Sequence, residues 1–171
     1  TDELTARLHA SVSAIESVLP DGYIERALSG TPISPKEYQQ NLRLLDHYAT
    51  QNDLRYLYVL TAMGGQVRYL ADSATESEQK SKHYGNFLQP YSDVGDQVLT
   101  ALRSLPRGGQ RTLHLQDRYG EFFTYLQVKS SLRGQPYVLG ADILYAHVQQ
   151  QMNEVLVKSV LFALVLLLIG S

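Results

Sequence analysis

Lys82, His83 and Tyr84 stand in a row within a long polar stretch. A cation beside two hydrogen-bond donors can hold a carboxylate, because charge-assisted hydrogen bonds are the strong ones. The same three residues also suit a solvated loop that binds nothing. Arg68 and Tyr69 lie on one strand-like run, and Tyr58 and Tyr125 on two others. Together they can line the wall of a pocket, although a strand Tyr more often serves sheet packing. Asp142 closes the last strand-like run, where an Asp can cap a following helix.

Other chemistry is excluded more firmly. The 171 residues contain no Cys, which removes disulfides, thiolate nucleophiles, Cys-bound zinc and covalent c-type haem. The histidines His9, His47, His83, His114 and His147 lack the three- or four-residue spacing of a helical metal pair. Neither G-x-S-x-G nor G-x-G-x-x-G occurs. Asp96 and the Glu76/Glu78 pair read as solvated surface rather than as an acid and a base. A net charge of −2 gives no electrostatic footprint for nucleic acid. The twelve Tyr, against four Phe and no Trp, offer apolar bodies with polar tips, which suits a partly wet pocket as well as a sheet.

The elements that must position these residues follow in order. Leu4, Leu8, Val12, Ile15 and Leu19 form one apolar stripe of a helix, ending near Pro20-Asp21-Gly22. Tyr23 to Leu28 extend an apolar face as far as Gly30. The stripe over 1–19 has two possible partners, the domain's own sheet or a second copy. Ser34-Pro35-Lys36-Glu37 is a helix start, with Ser34 as cap, Pro35 at the first helical position and Glu37 completing a capping box. Ile33 and Tyr38 are spaced as a hydrophobic staple. This helix runs through Leu42, Leu45 and Ala49 to about Gln51.

Residues 54–61 and 66–71 flank Gly64-Gly65 and read as a hairpin. Residues 72–81 have no apolar period and read as a surface loop, continued through 82–87. So long a connection inside a compact domain is usually functional or mobile. Val94, Val98, Ala101, Leu102 and Leu105 mark another helix, with Ser92 or Asp93 as its cap. Three strands follow, at 110–116, 121–130 and 136–143, joined by short turns that demand antiparallel neighbours. The expected fold is α+β: a five-stranded antiparallel sheet with a long N-terminal helix, flanking helices and an exit helix.

Residues 155–169 read VLVKSVLFALVLLLI. A bilayer span needs about 20 mostly apolar residues, and this run is shorter. We expect it to be the outer part of a transmembrane helix, in a chain that is a piece of a longer protein. A buried core helix is the competing reading. Lys158 and Ser159 then fall near the head-group boundary, where Lys can snorkel. The division is a sensor-sized domain at 1–154 and a membrane segment at 155–171.

The order of elements resembles a single Cache sensor domain, also called PAS-like or PDC. The residues carrying the resemblance are Tyr56-Leu57-Tyr58-Val59-Leu60, Gly64-Gly65-Gln66-Val67 with Tyr69, Tyr119 to Tyr125, and Gly134 to Ile143. Such domains stand outside the cytoplasmic membrane of bacteria in histidine kinases, chemoreceptors and diguanylate cyclases. The resemblance implies a PAS-like sheet, with a small organic ligand on one side beneath the long connection and the long helix on the other side. The ligand would be of the carboxylate or amino-acid class, although the aromatic-and-arginine motif of the amino-acid-binding members is not intact. Asp142 stands where similar domains place a carboxylate near the ligand, beside Tyr58, Arg68, Tyr69, Lys82, His83, Tyr84 and Tyr125 as candidate contacts. Also implied are a homodimer, a periplasmic location on the inner membrane, and neither cofactor nor catalytic residue. The alternative is a membrane-anchored dimerisation scaffold without a ligand.

Overall fold

The computed structural model describes residues 2–91, 95–117 and 119–169. Helix α1 (Asp2–Val18) is followed by the short α2 (Tyr23–Leu28) and by α3 (Pro35–Gln51). Strands β1 (Tyr56–Met63) and β2 (Gln66–Ala71) form the expected hairpin. After α4 (Glu76–Ser81) and α5 (Gly95–Ser104) come β3 (Gln110–Asp117), β4 (Gly120–Ser130) and β5 (Pro136–Leu144), and the chain leaves through α6 (Tyr145–Ile169).

The five strands form one sheet in the order β2-β1-β5-β4-β3, and every pairing is antiparallel. β5, last in sequence, lies at the centre. Its register sets Tyr58 opposite Gly140, and Thr124 opposite Asp142. Strand side chains alternate between faces, so β5 divides cleanly. Tyr137, Leu139, Ala141 and Ile143 join the core under α1, α2 and α3. Val138 joins Tyr58, Leu60, Leu126 and Val128 on the other face, with Val98, Ala101 and Leu102 of α5.

Leu8, Val12, Ile15 and Leu19 are all buried in the first of these cores. The α1 stripe therefore packs on the domain's own sheet, which settles its two possible partners. Polar contacts fix the same docking: Glu16 accepts from Tyr137 Oη and pairs with Lys129 Nζ at 3.0 Å. At α3, Ser34 Oγ accepts from the Glu37 N–H at 3.1 Å, with Pro35 at the start. Ile33 packs against the cluster that contains Tyr38. The Glu37 carboxylate, however, turns to pair with Arg26 of α2 rather than closing a capping box. An available guanidinium outcompetes a backbone N–H, since hydrogen bonds between two charged groups are the stronger.

The polar stretch after β2 departs from the expected surface loop. Asp72, Ser73 and Ala74 are buried, and 76–81 is helical. Its start is a complete capping box between Thr75 and Glu78, which fixes a short helix lacking any apolar stripe. Further on, residues 88–91 pair along the outer side of β2: Leu88 N–H donates to Tyr69 O, and Tyr91 N–H to Val67 O. The connection thus covers a strand edge that would otherwise be open to other chains. The caps expected at Ser92 or Asp93, with Val94, lie outside the described residues.

In α6, Val148 is buried against the domain. From Val155 to Ala163, and at Val165, the side chains leave it: Leu156, Leu161 and Phe162 are 62%, 57% and 67% exposed. The competing reading of a buried core helix is thereby excluded for these residues. Among the described residues no helix is long and apolar enough to cross a membrane. The expected membrane helix is thus not shown as a span; the first turns of α6 carry Gln149, Gln150, Gln151, Asn153 and Glu154. Gly170 and Ser171 lie outside the described residues.

Candidate functional site

A cavity lies on the α5 side of the sheet, between the central strands and residues 83–91. Its rings come from Tyr56, Tyr58, Tyr69, Tyr84, Tyr91 and Tyr119, and its acids from Asp72, Asp117 and Asp142. Ser73 and His83 complete the wall. The accessible volume is about 20 Å³, room for a water or two.

The strands build this wall by parity. Tyr56 and Tyr58 are two apart on β1, so both point to the same side, and Asp142 reaches that side from the neighbouring β5. Asp142 is 4% exposed. Its Oδ1 accepts from Tyr58 Oη at 3.0 Å and from Thr124 Oγ1 at 2.7 Å. These bonds hold it within the sheet rather than at the helix start, so it does not act as a cap for α6. Gly140 makes the arrangement possible: a Cβ there would come within 2.0 Å of the Tyr58 ring.

Asp72, 8% exposed, latches the roof to the sheet. Its Oδ2 accepts from the Gly85 N–H at 2.8 Å and its Oδ1 from the Ser73 N–H at 2.9 Å. Gly85 is pressed against the Tyr69 ring, where a Cβ would meet carbon at 2.5 Å. Tyr38 Oη of α3 donates to Gly85 O. On the far side Tyr91 Oη donates to Asp117 Oδ2 at 3.0 Å.

Burial dominates the electrostatics. It pushes the Asp72 carboxyl up to about 8, while the Gly85 and Ser73 N–H groups pull it down and the charges of Asp142 and Glu78 add to the rise. Burial likewise pushes Asp142 up to about 7, opposed by the hydroxyls of Thr124 and Tyr58 and reinforced by Asp117. Arg55 lies 4.4 Å from the Tyr56 ring centroid, but Glu78 pairs with its guanidinium and also accepts from Tyr56 Oη at 2.7 Å.

Five of the eight candidate residues, Tyr58, Tyr69, His83, Tyr84 and Asp142, line the cavity. The other three do not. Arg68 turns along the strand edge and donates to Leu88 O at 2.8 Å and Gln66 Oε1 at 2.9 Å. Lys82 is exposed and ends α4 with a left-handed backbone. Tyr125 falls on the opposite face of the sheet, in the core under α1, with its ring against His9. Sequence reading missed Tyr56, Asp72, Ser73, Tyr91, Asp117 and Tyr119 as parts of this wall. For Asp72 the available signal was Thr75-x-x-Glu78, which marks a helix start and so places the residues before it on an ordered path.

No family model and no curated protein matches the chain. Among solved structures it is similar to the sensor domain of Escherichia coli DcuS, at 17% identity and a TM-score of 0.56, covering 86% of this chain and 96% of that one. The fold is therefore that of a PAS-like sensor domain, as the Cache resemblance implied. Similarity to the sensory domain of the Campylobacter jejuni chemoreceptor Tlp3 with isoleucine bound is weaker, at 16% identity and a TM-score of 0.43. It covers 87% of this chain and 61% of that one, and it carries no argument here.

Proposed function

We propose that the chain is the ligand-sensing domain of a bacterial transmembrane receptor, standing outside the cytoplasmic membrane and binding a small organic molecule in the tyrosine- and aspartate-lined cavity. One observation carries the reading. Asp142 and Tyr58 join the cavity wall to β5, and β5 runs from Asp142 into α6 within three residues. A molecule that prefers one arrangement of this wall also biases the helix leaving it. Any catalytic output belongs to another part of the receptor.

The exposed apolar length of α6 supports a membrane at that end. We place 155–171 at the start of a bilayer-crossing segment, with Lys158 near the head groups, and homodimer contacts on the membrane-proximal helix. An Arg at the centre of a membrane helix costs about 3 kcal/mol. Leu161→Arg is therefore expected to reduce partition into phospholipid vesicles by about two orders of magnitude. Unchanged co-flotation of the variant would remove the membrane from the reading.

Calorimetric titration with small organic acids, amino acids and amines tests ligand binding. Saturable heat from one class supports it, and silence from all of them contradicts it. The small accessible volume of about 20 Å³ favours one second reading, an anchored dimerisation domain with an occluded pocket. Silence in calorimetry together with efficient crosslinking between copies through α6 would select that reading.

A further inference from the structure

The proposal rests on the ligand-sensing reading and concerns the charge of the ligand. The cavity walls carry three carboxylates, Asp72, Asp117 and Asp142, and among the described residues neither Lys nor Arg lines them. The nearest guanidinium, that of Arg55, is already answered by Glu78. Lys82 is exposed and absent from the wall. An entering carboxylate would bring negative charge and no counter-charge to a buried site whose own carboxyls, Asp72 and Asp142, burial already holds against ionisation. Buried charge is tolerated where it is paired, and removing the partner is what makes it costly.

We propose that the cavity takes a small primary amine in its ammonium form, held by Asp72 and Asp142 and enclosed by the six tyrosine rings. The carboxylates supply the counter-charge. The rings supply electron-rich faces, which attract a cation within about 6 Å of their centroids. Volume sets the size: about 20 Å³ admits an ammonium head, whereas a trimethylated head requires the roof over 83–85 to move. The Asp142 carboxylate is positioned for this role, since both recorded donors, Tyr58 and Thr124, sit on Oδ1. Its rise with burial, and that of Asp72, mark a site that gains when positive charge arrives.

The test is calorimetric titration of the full 171-residue chain in detergent micelles, with ethylammonium, glycine, acetate and succinate as probes. Ethylammonium is expected to bind saturably, glycine no more tightly, and the two acids not at all. Asp142→Asn and Asp72→Asn, each verified as folded by circular dichroism, are expected to weaken ethylammonium at least about tenfold, equivalent to about 1.4 kcal/mol. Binding of acetate or succinate without ethylammonium would overturn the amine and leave ligand sensing intact. So would glycine binding without ethylammonium, which would show that the site needs a carboxylate on its ligand. Silence from all four would overturn the amine and count against ligand sensing as well. Unweakened ethylammonium binding in both folded Asn variants would place the cation elsewhere and overturn the assignment.

Discussion

Raising the pH from about 5.5 to about 8 is expected to cost the unliganded domain about 5 kcal/mol of stability through Asp72 and Asp142 alone. The sign follows from where each group titrates. In the unfolded chain both lose their proton near the ordinary value of 3.8, whereas in the fold Asp142 holds it up to about 7 and Asp72 up to about 8. Between those limits the native state binds more protons than the unfolded state, so stability falls as pH rises. The loss begins near the unfolded value and is complete once pH has passed the higher folded one. With about 1.4 kcal/mol per unit, Asp142 contributes about 2 kcal/mol over this range and Asp72 about 3. Urea denaturation at the two pH values measures it. Asp142→Asn keeps an acceptor for Tyr58 and Thr124 but has no proton to lose, so its pH dependence is expected to shrink by about 2 kcal/mol. An unaltered slope in that variant would show that Asp142 is already ionised at low pH.

Leu8→Ala is expected to destabilise the domain by about 2–5 kcal/mol, the usual range for a fully buried leucine. Leu8 is wholly buried between α1 and the sheet, in the cluster that contains Tyr125, Leu139 and Ala141. The variant loses the burial of its removed carbons and leaves a void that its strand neighbours cannot refill. Because α1 packs within its own chain, the loss is expected to be independent of protein concentration. A midpoint that shifted with concentration would instead show that the stripe is shared between copies. Ile15→Ala, about two helical turns on, provides a second site for the same comparison.

The hairpin at Gly64-Gly65, the start of α3 and the three closing strands were legible because each carries a local signal. Turn glycines, a Ser-Pro cap and short polar turns act within a few residues. The antiparallel pairing of β1 with β2 and of β3, β4 and β5 in turn was legible for the same reason, since short connections leave it as the outcome, whereas the pairing of β1 with the distant β5 carries no local signal. What sequence alone could not supply was the face on which each strand residue falls. A period of two says that Phe122 and Thr124 share one face and Phe123 and Tyr125 the other, but not which face holds the cavity. Tyr125 was therefore grouped with Tyr58, although the sheet separates them. Arg68 was misplaced for a related reason. It directly precedes Tyr69 on β2, so the two point to opposite faces, and the covering residues 88–91 offer its guanidinium a carbonyl at the edge.

The acids show the limit more sharply. Asp72 and Asp117 look like ordinary polar residues at strand ends; Thr75-x-x-Glu78 marks an ordered path after Asp72 but not that the chain closes over it. The burial of Asp72 depends on pairing between residues 88–91 and β2 and on the Gly85 N–H, with Gly85 fitting against Tyr69 only because it lacks a side chain. The sequence therefore pointed to Lys82 as a carboxylate anchor, whereas the cavity is acidic. Contacts between segments so far apart in the chain decide the charge of the cavity wall.

Hydrogen exchange on the full chain, with and without saturating ethylammonium, tests most directly whether an occupied cavity acts on the exit helix. The account predicts slower exchange in β5 from Tyr137 to Asp142, and an altered rate in the first turns of α6, from Tyr145 to Met152. Unchanged exchange in both segments, in a sample where calorimetry establishes binding, would contradict it.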